Sequence, residues 1–312
     1  MKIVKRILII VGVLILLPII FVILFFVLAM FAKAVPTKYT KEVKTDGNIE
    51  AKYLDYGKYE VKDLKIKGSE EVTKNFYIYY PEELEKNNKQ YPVVVMMNGT
   101  GVLPKKYTTL FKHLASWGFV VIGNDDGASG FAKSSNETIE LIRKENSNKD
   151  SIFYNKLDLD NIGITGHSQG GAGVLTAITI MDYKDAYKTA VALSPTQVEL
   201  AHAYGWNYDV SKVNIPILLL AGTEGDFETK MVLPIEIMNS MYDEIKAQKV
   251  MARRIGAEHG HMLYSADGYV TAWFMYYLQG DETAKEMFNE IKNNKLYQDQ
   301  RINLEVNTES SD

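Results

Sequence analysis

The chain has 312 residues, a formal net charge of −4 and no cysteine. This length fits one large domain or two small ones. The lack of cysteine excludes disulfides, thiolate metal sites, a cysteine nucleophile and a lipid-modified cysteine anchor. Lys2, Lys5 and Arg6 precede the first apolar segment, so the rest of the chain is more acidic still. A mildly acidic body with interspersed charges argues against nucleic acid as a partner.

An apolar run extends from Ile7 to Phe31, broken only by Gly12 and Pro18. As a helix it would span roughly 37 Å, enough for a hydrocarbon core of about 30 Å. The preceding bases favour a cytoplasmic N-terminus. We therefore expect residues 1–33 to be a single-pass cell-membrane anchor, with the rest of the chain on the extracytoplasmic side. The alternative is a signal peptide cleaved near Ala34, which would release a secreted protein.

The remainder predicts an α/β protein with a mostly parallel central sheet flanked by helices. Residues 34–68 are predicted as a spacer with the first edge strands, residues 69–295 as the catalytic domain, and residues 296–312 as a polar, disordered tail. The run Tyr91–Met97 is nearly all apolar, as in a parallel strand buried on both faces. Further strands are predicted at Asn75–Tyr80, Phe119–Ile122, Asn161–Thr165, Thr189–Leu193, Ile215–Ala221 and Val250–Ile255. Helices are predicted at Tyr107–Trp117, Glu137–Lys144, from Ser168 through Met181, Tyr264–Leu278 and Glu282–Lys292.

The segment Gly166-His167-Ser168-Gln169-Gly170 lies between a predicted buried strand and a helix of small residues. A sharp strand-to-helix turn of this kind exposes a serine hydroxyl, and its glycines allow close backbone approach. The helix that follows offers free N–H groups and a positive dipole end to a developing oxyanion. Ser168 is therefore predicted to be a nucleophile. The alternative is an ordinary glycine-rich turn in which Ser168 has no catalytic role.

An oxyanion hole needs a second donor from the loop after an earlier strand. That loop is Met97-Asn98-Gly99-Thr100-Gly101. We expect the backbone N–H groups of Thr100 and Gln169 to form the hole, with Gly101 as the alternate for Thr100.

The general base is found among five histidines. In proteins with this strand–serine–helix turn, the chain order is serine, acid, histidine, and the histidine follows the last parallel strand. Only His259 and His261 meet that condition, and His259 is preferred. The two histidines could otherwise belong to a metal site, but nearby ligands are not evident, so neither a metal nor another cofactor is expected.

The acid is expected directly after the strand Ile215–Ala221. The segment Gly222-Thr223-Glu224-Gly225-Asp226 offers two carboxylates. Asp226 is the preferred partner for the histidine and Glu224 the alternate. Its role would be to fix the imidazole tautomer and stabilise the imidazolium.

With these parts in order, the chain resembles the α/β-hydrolases of the dienelactone hydrolase and polyesterase–lipase–cutinase group, from about Asn75 to Phe288. The resemblance implies an α/β-hydrolase fold and a triad of Ser168, Asp226 and His259. Four stretches carry it: Leu114–Val121; Gly166–Gly171; Pro216–Asp226; and Gly256–His259, with Ala272–Phe274 and Gly280–Thr283 after the last.

Two departures from that group affect the expected substrate. Thr100 and Thr196 occupy places where its cutinases have aromatic residues that would grip an aromatic polymer unit. Tyr204 and Trp206 could line an acyl pocket instead, or pack in the core.

We therefore expect a serine esterase acting on a small or lipid ester rather than an aromatic polyester. The alternatives are a thioesterase, acyltransferase or phospholipid deacylase with the same triad, or a catalytically dead, membrane-tethered binding protein. The sequence does not determine the oligomeric state.

Overall fold

A computed structural model describes residues 33–69 and 71–305. The predicted anchor at Ile7–Phe31 lies outside them. Within the described ranges, no helix is both long and apolar enough to cross a membrane.

The described residues form a nine-stranded sheet with the order β1-β2-β4-β3-β5-β6-β7-β8-β9. Strands β3 to β8 pair in parallel, whereas β1–β2, β2–β4 and β8–β9 pair antiparallel. The predicted mostly parallel sheet is therefore confirmed. The strands are β1 (Val61–Lys67), β2 (Asn75–Pro81), β3 (Tyr91–Met97), β4 (Val120–Asn124), β5 (Leu157–His167), β6 (Thr189–Leu193), β7 (Ile217–Glu224), β8 (Lys249–Glu258) and β9 (Tyr297–Asn303).

Helices cover both faces of this sheet. They are α1 (Tyr39–Glu42), α2 (Asn48–Leu54), α3 (Thr108–Ser116), α4 (Lys133–Ser147), α5 (Gln169–Thr179), α6 (Val198–Ala203), α7 (Ile235–Glu244), α8 (Asp267–Gln279) and α9 (Glu282–Asn289). The central strand β3 shows how the two cores form. Val93, Val95 and Met97 belong to the core that also contains α4, α5 and α7, whereas Val94 and Met96 belong to the core with α3, α8 and α9. Successive residues of a strand point to opposite faces, so a strand covered on both sides is apolar throughout.

The segment predicted as a spacer is part of the folded body. It contains the short helices α1 and α2, and their residues Tyr39 and Tyr53 are fully buried. The Tyr53 hydroxyl donates to Asp281 Oδ2 at 2.7 Å. Helices of four and seven residues are too short to show a helical period in sequence.

The predicted polar tail also differs from the structure. Residues Tyr297–Asn303 form β9, which pairs antiparallel with β8. Only Tyr297 of this edge strand is buried. Edge pairing uses backbone hydrogen bonds and needs no apolar pattern, so the composition of this segment does not reveal the strand.

A buried polar cluster fixes the N-terminal segment to the body. His113 Nδ1 lies 2.7 Å from Asp267 Oδ2, the hydroxyl of Tyr39 donates to the same oxygen, and His113 Nε2 lies 2.9 Å from the carbonyl of Asp55. Because both acceptors need a proton, both ring nitrogens donate and the imidazole is charged. Burial lowers the pKa of His113, but Asp267 and the carbonyl of Asp55 offset this and leave that pKa above its usual value.

We predict that Tyr39→Phe lowers the free energy of unfolding by about 1.5–3 kcal/mol, the usual contribution of a hydrogen bond to a charged group. Urea denaturation would measure it. Tyr56→Phe is the control, because Tyr56 contacts His113 edge-on but is exposed and should change stability by less than about 0.5 kcal/mol. Equal stability of the two variants would contradict the anchoring role of Tyr39.

Candidate active site

Ser168 lies at a sharp turn between β5 and α5, with backbone angles φ +60° and ψ −121°. A non-glycine residue with positive φ is strained and persists only where its surroundings enforce it. A Cβ on Gly166 would lie 2.5 Å from the carbonyl oxygen of Gly170, and one on Gly170 would lie 2.2 Å from that of Met97. Neither position accepts a side chain, so both glycines permit the turn. The strand, turn and helix predicted around Ser168 are all present.

The carboxylate that contacts His259 is Glu228, which the sequence reasoning missed. Glu228 Oε2 lies 2.6 Å from His259 Nδ1, and the Glu228 side chain is fully buried. Asp226, the preferred candidate, is 81% exposed and pairs with Lys230 at the surface. Glu224, the alternate, is also exposed at the end of β7. The structure therefore corrects both candidates, because the chain turns back toward the sheet only after Asp226.

A π-helix at Phe227–Val232 produces this turn. The N–H of Leu233 donates to the carbonyl of Glu228 at 2.9 Å, which closes the wide helical turn. Single π turns are rare and often occur at functional sites. A sequence expectation that places the acid directly after the strand cannot anticipate this geometry.

Two further donors hold the Glu228 carboxylate. Its Oε1 accepts from Ser194 Oγ at 2.6 Å and from the N–H of Gly222 at 2.7 Å. The carbonyl of Gly222 in turn accepts from the buried Arg253 guanidinium through Nε and Nη2. Ser194 follows β6 and has a positive φ of 40°. The ends of β6 and β7 and a residue in the middle of β8 therefore all contribute to the position of one carboxylate.

These contacts keep Glu228 ionised. Burial raises the pKa of Glu228, but hydrogen bonds and charge from His259, with hydrogen bonds from Ser194 and Gly222, bring it below its usual value. An ionised carboxylate can only accept hydrogen bonds, so His259 Nδ1 carries a proton. With the imidazole neutral, Nε2 is left as the basic atom.

The ring of His259 is packed between two other rings. Its centroid is 4.5 Å from that of His167 and 4.9 Å from that of Phe227, which meets it edge-on. His167 Nε2 also donates to the backbone carbonyl of His259 at 2.8 Å. Burial, and then the positive charge that His259 has when protonated, lower the pKa of His167 to about 3, so His167 is neutral. His261 is exposed and contacts Tyr264 edge-on, 6.1 Å between centroids.

The loop after β3 is fixed by the buried side chain of Asn98. Its Nδ2 donates to the carbonyls of Asn124 and Asp126, and the N–H of Gly99 donates to the hydroxyl of Tyr107. Thr100 comes next and lines the same cavity as Ser168.

The two predicted oxyanion donors differ in their relation to the cavity. Within residues 33–69 and 71–305, the backbone N–H groups of Thr100 and Gln169 donate to no protein acceptor. Thr100 lines the cavity, whereas Gln169 follows Ser168 directly and is itself buried without lining it. Gly101, the alternate donor, has a φ of +69° and does not line the cavity either.

A cavity of about 520 Å³ is lined by Thr100, Ser168 and His259. This volume is within the range of sites that bind small molecules. A comparable cavity of about 550 Å³ lies between the β1–β2 hairpin and α4; it is lined by charged side chains of both signs and by none of the candidate catalytic residues. The residues lining the first cavity are Lys33, Ala34, Val35, Pro36, Gly99, Thr100, Val102, His167, Ser168, Phe227, His259, Gly260, His261, Leu263 and Tyr264.

The aromatic residues considered for an acyl pocket lie elsewhere. Trp206 is buried and packs edge-on against Phe131, and Tyr204 meets Trp206 at a tilt, with 5.0 Å between ring centroids. Thr196 is buried, and its carbonyl accepts from the hydroxyl of Tyr208. Trp206 therefore belongs to the core, Tyr204 is exposed beside it, and the N–H of Thr196 donates to the carbonyl of Ser168 at 3.3 Å. In the part of the chain that the structure describes, no three His, Asp or Glu side chains are grouped so that they could hold a metal ion.

Comparison with known proteins gives one family and several relatives. A family model described as PETase, PET hydrolase-like, matches residues 44–305. Cutinase est2 of Thermobifida alba is 27% identical over 156 residues, or 48% of this chain and 45% of the relative. Cutinase 2 of Thermobifida cellulosilytica is 27% identical over 148 residues, or 46% of this chain and 50% of the relative. The chain thus matches about half the length of these curated relatives.

The buried, neutral state of His167 makes a prediction about pH and stability. Between pH 6.5 and about 3, His167 binds a proton in the unfolded chain but not in the folded one, so it lowers stability as the pH falls. His167→Gln retains an N–H donor and removes the titration. Its unfolding free energy should depend less steeply on pH than the wild type's, by up to about 1.4 kcal/mol per pH unit.

Urea denaturation from pH 7 down to about pH 4 would test this. His261→Gln is the matched control, because it makes the same substitution at an exposed histidine that lines the same cavity. Parallel curves of unfolding free energy against pH for the wild type and His167→Gln would show that folding does not lower the pKa of His167.

Proposed function

Because the chain belongs to the PET hydrolase-like family, we propose that it is a serine carboxylic-ester hydrolase with Ser168 as nucleophile, His259 as base and Glu228 as acid. One observation carries the proposal: a buried, ionised Glu228 holds the imidazole of His259 in the cavity that a strained Ser168 also lines. The family match and the cutinase relatives support an ester-hydrolysing enzyme.

In the first half of the reaction, His259 Nε2 takes the proton from Ser168 Oγ as that oxygen bonds to the ester carbonyl carbon. The carbonyl oxygen becomes an oxyanion that accepts from the N–H groups of Thr100 and Gln169. The bond from carbon to the alcohol oxygen then breaks, and the imidazolium donates its proton to the leaving alcohol. Ser168 is left as an acyl ester.

In the second half, water replaces the alcohol. His259 accepts a proton from the attacking water, whose oxygen bonds to the acyl carbon. The tetrahedral oxyanion is again held by Thr100 and Gln169, and the bond to Ser168 Oγ breaks as that oxygen regains a proton from His259. The products are a carboxylic acid and the original enzyme. Throughout, Glu228 remains ionised and stabilises the imidazolium without taking its proton.

A thioester, or an alcohol acceptor in place of water, would follow the same steps, so thioesterase and acyltransferase activity are alternatives within this proposal. A binding protein without catalytic activity would need neither two unbonded backbone N–H groups, nor a strained serine, nor a histidine bonded to a buried carboxylate. The sequence also supports an extracytoplasmic, membrane-tethered enzyme through the run Ile7–Phe31. Secretion after cleavage near Ala34 is the alternative, and the N-terminal residue of the mature protein distinguishes the two.

Reaction with a fluorophosphonate probe tests the nucleophile directly. We expect the wild-type chain to be labelled at Ser168 and to hydrolyse p-nitrophenyl esters. Ser168→Ala should lose labelling and about 10⁵–10⁶ of kcat, as when the nucleophile is removed from other serine hydrolases. Unfolding by urea should show that the variant remains folded. Normal turnover by Ser168→Ala would contradict the proposal.

Substitutions at Glu228 and Asp226 show which of the two carboxylates is the acid that supports His259. In Glu228→Gln, the amide oxygen can still accept from Ser194 and Gly222, but the amide nitrogen faces His259 Nδ1 and favours the tautomer protonated on Nε2. We expect kcat to fall by about 10³–10⁴. Asp226→Asn, the matched control, removes an exposed charge paired with Lys230 and should change kcat less than about twofold. A large loss in Asp226→Asn with little loss in Glu228→Gln would reverse the assignment.

A further inference from the structure

One wall of the active-site cavity comes from residues that precede the family-matched region. Lys33, Ala34, Val35 and Pro36 line the cavity with Ser168 and His259. The family match begins at residue 44. The catalytic groups therefore lie inside the shared region, whereas part of the surface that faces a substrate lies outside it. We call residues 33–36 the N-terminal wall.

The N-terminal wall is fixed to the body of the protein. The N–H of Val35 donates to the carbonyl of Lys106 at 2.9 Å, and the Val35 side chain is 4% exposed. Shortly after the wall, Tyr39 is buried and bonded to Asp267. Tyr39 also meets Tyr264 edge-on, at 5.8 Å between centroids, and Tyr264 lines the cavity. The wall and the residues directly after it are thus fixed to the body.

The cavity has a polar part and an apolar part. The polar part contains the groups assigned to the reaction, Ser168, His259 and Thr100. The apolar part is formed by Val35, Pro36, Val102, Leu263 and Tyr264. No carboxylate lines the cavity among the described residues. A ligand complementary to this surface has a reacting carbonyl joined to an aliphatic chain, because burial of methylene groups against such walls is favourable.

We propose that the N-terminal wall binds the acyl chain of the substrate, so that the enzyme prefers esters of linear acyl chains longer than butyrate. This proposal rests on the ester-hydrolase function proposed above. The acyl chain would lie along Val35, Val102 and Leu263 while its carbonyl contacts Ser168. Each methylene buried there increases kcat/KM by up to about fourfold.

The sequence before the wall bears on where such an ester resides. The apolar run that ends at Phe31 is two residues from Lys33, which lines the cavity. Two extended residues span at most about 7 Å. A run embedded in a bilayer would therefore hold the cavity at the lipid surface, where acyl esters are abundant.

The test uses the full chain in detergent micelles and p-nitrophenyl esters from acetate to decanoate. For the wild type, kcat/KM should rise with acyl length and peak beyond butyrate. Val35→Phe narrows the cavity and should lower the ratio of decanoate to acetate turnover at least about tenfold. Val35→Ala, a change the fold tolerates more easily, should move the peak to longer chains. Val43→Phe is the control, because Val43 is partly buried in the same segment but does not line the cavity.

The outcomes separate this inference from the function on which it rests. Two results would overturn only the acyl-binding role of the N-terminal wall. The first is wild-type ester cleavage that falls steadily with acyl length. The second is the same decanoate-to-acetate ratio in the wild type and both Val35 variants. Absence of both ester cleavage and fluorophosphonate labelling at Ser168 would overturn the proposed function. Reconstitution of the full chain into phosphatidylglycerol vesicles distinguishes a lipid substrate from a soluble one. Release of fatty acid from the vesicles indicates that the substrate is a bilayer lipid. Cleavage of p-nitrophenyl decanoate without release of fatty acid indicates a soluble ester.

Discussion

The arrangement of the site depends on the hydrogen bond between Glu228 and His259. A buried carboxylate is costly unless its oxygens accept enough hydrogen bonds, and Glu228 accepts from His259, Ser194 and Gly222. These donors come from the histidine loop and from the ends of β6 and β7. The cost of burying one charge therefore constrains separate segments to meet at one point. With Glu228 and His167 both holding it, His259 has little freedom to leave the cavity.

The sequence reveals the parts of this site whose geometry follows from local rules. The glycines around Ser168 predict the turn because any side chain there would collide with backbone, and the all-apolar β3 predicts a buried parallel strand. Glu228 could not be found in this way. Its position depends on a π-helix after β7, and no pattern of apolar or turn residues specifies that one extra residue enters the helical turn. Spacing and resemblance both favoured Asp226, which lies on the exposed side of that turn.

The N-terminal segment shows a second limit of sequence reasoning. Its abundant Lys, Tyr and Asp resemble a solvated spacer, yet Tyr39 and Tyr53 are buried with their hydroxyls bonded to Asp267 and Asp281. A tyrosine can be buried when its hydroxyl finds an acceptor. Those acceptors lie more than two hundred residues away in the chain. A composition argument considers only neighbours in sequence, so it cannot identify partners at that separation.

The proposed base, His259, and the N-terminal wall are connected through one short stretch of chain. His259 begins the loop after β8, and α8 begins soon afterwards at Asp267, which holds Tyr39 and His113. The base and the fixed end of the N-terminal wall are therefore attached to one continuous segment. Tyr39, three residues after the wall, contacts Tyr264 of that segment edge-on. The proposed catalytic groups inside the family-matched region and the proposed acyl-binding wall outside it are therefore attached to one segment of the fold, although different parts of the sequence encode them.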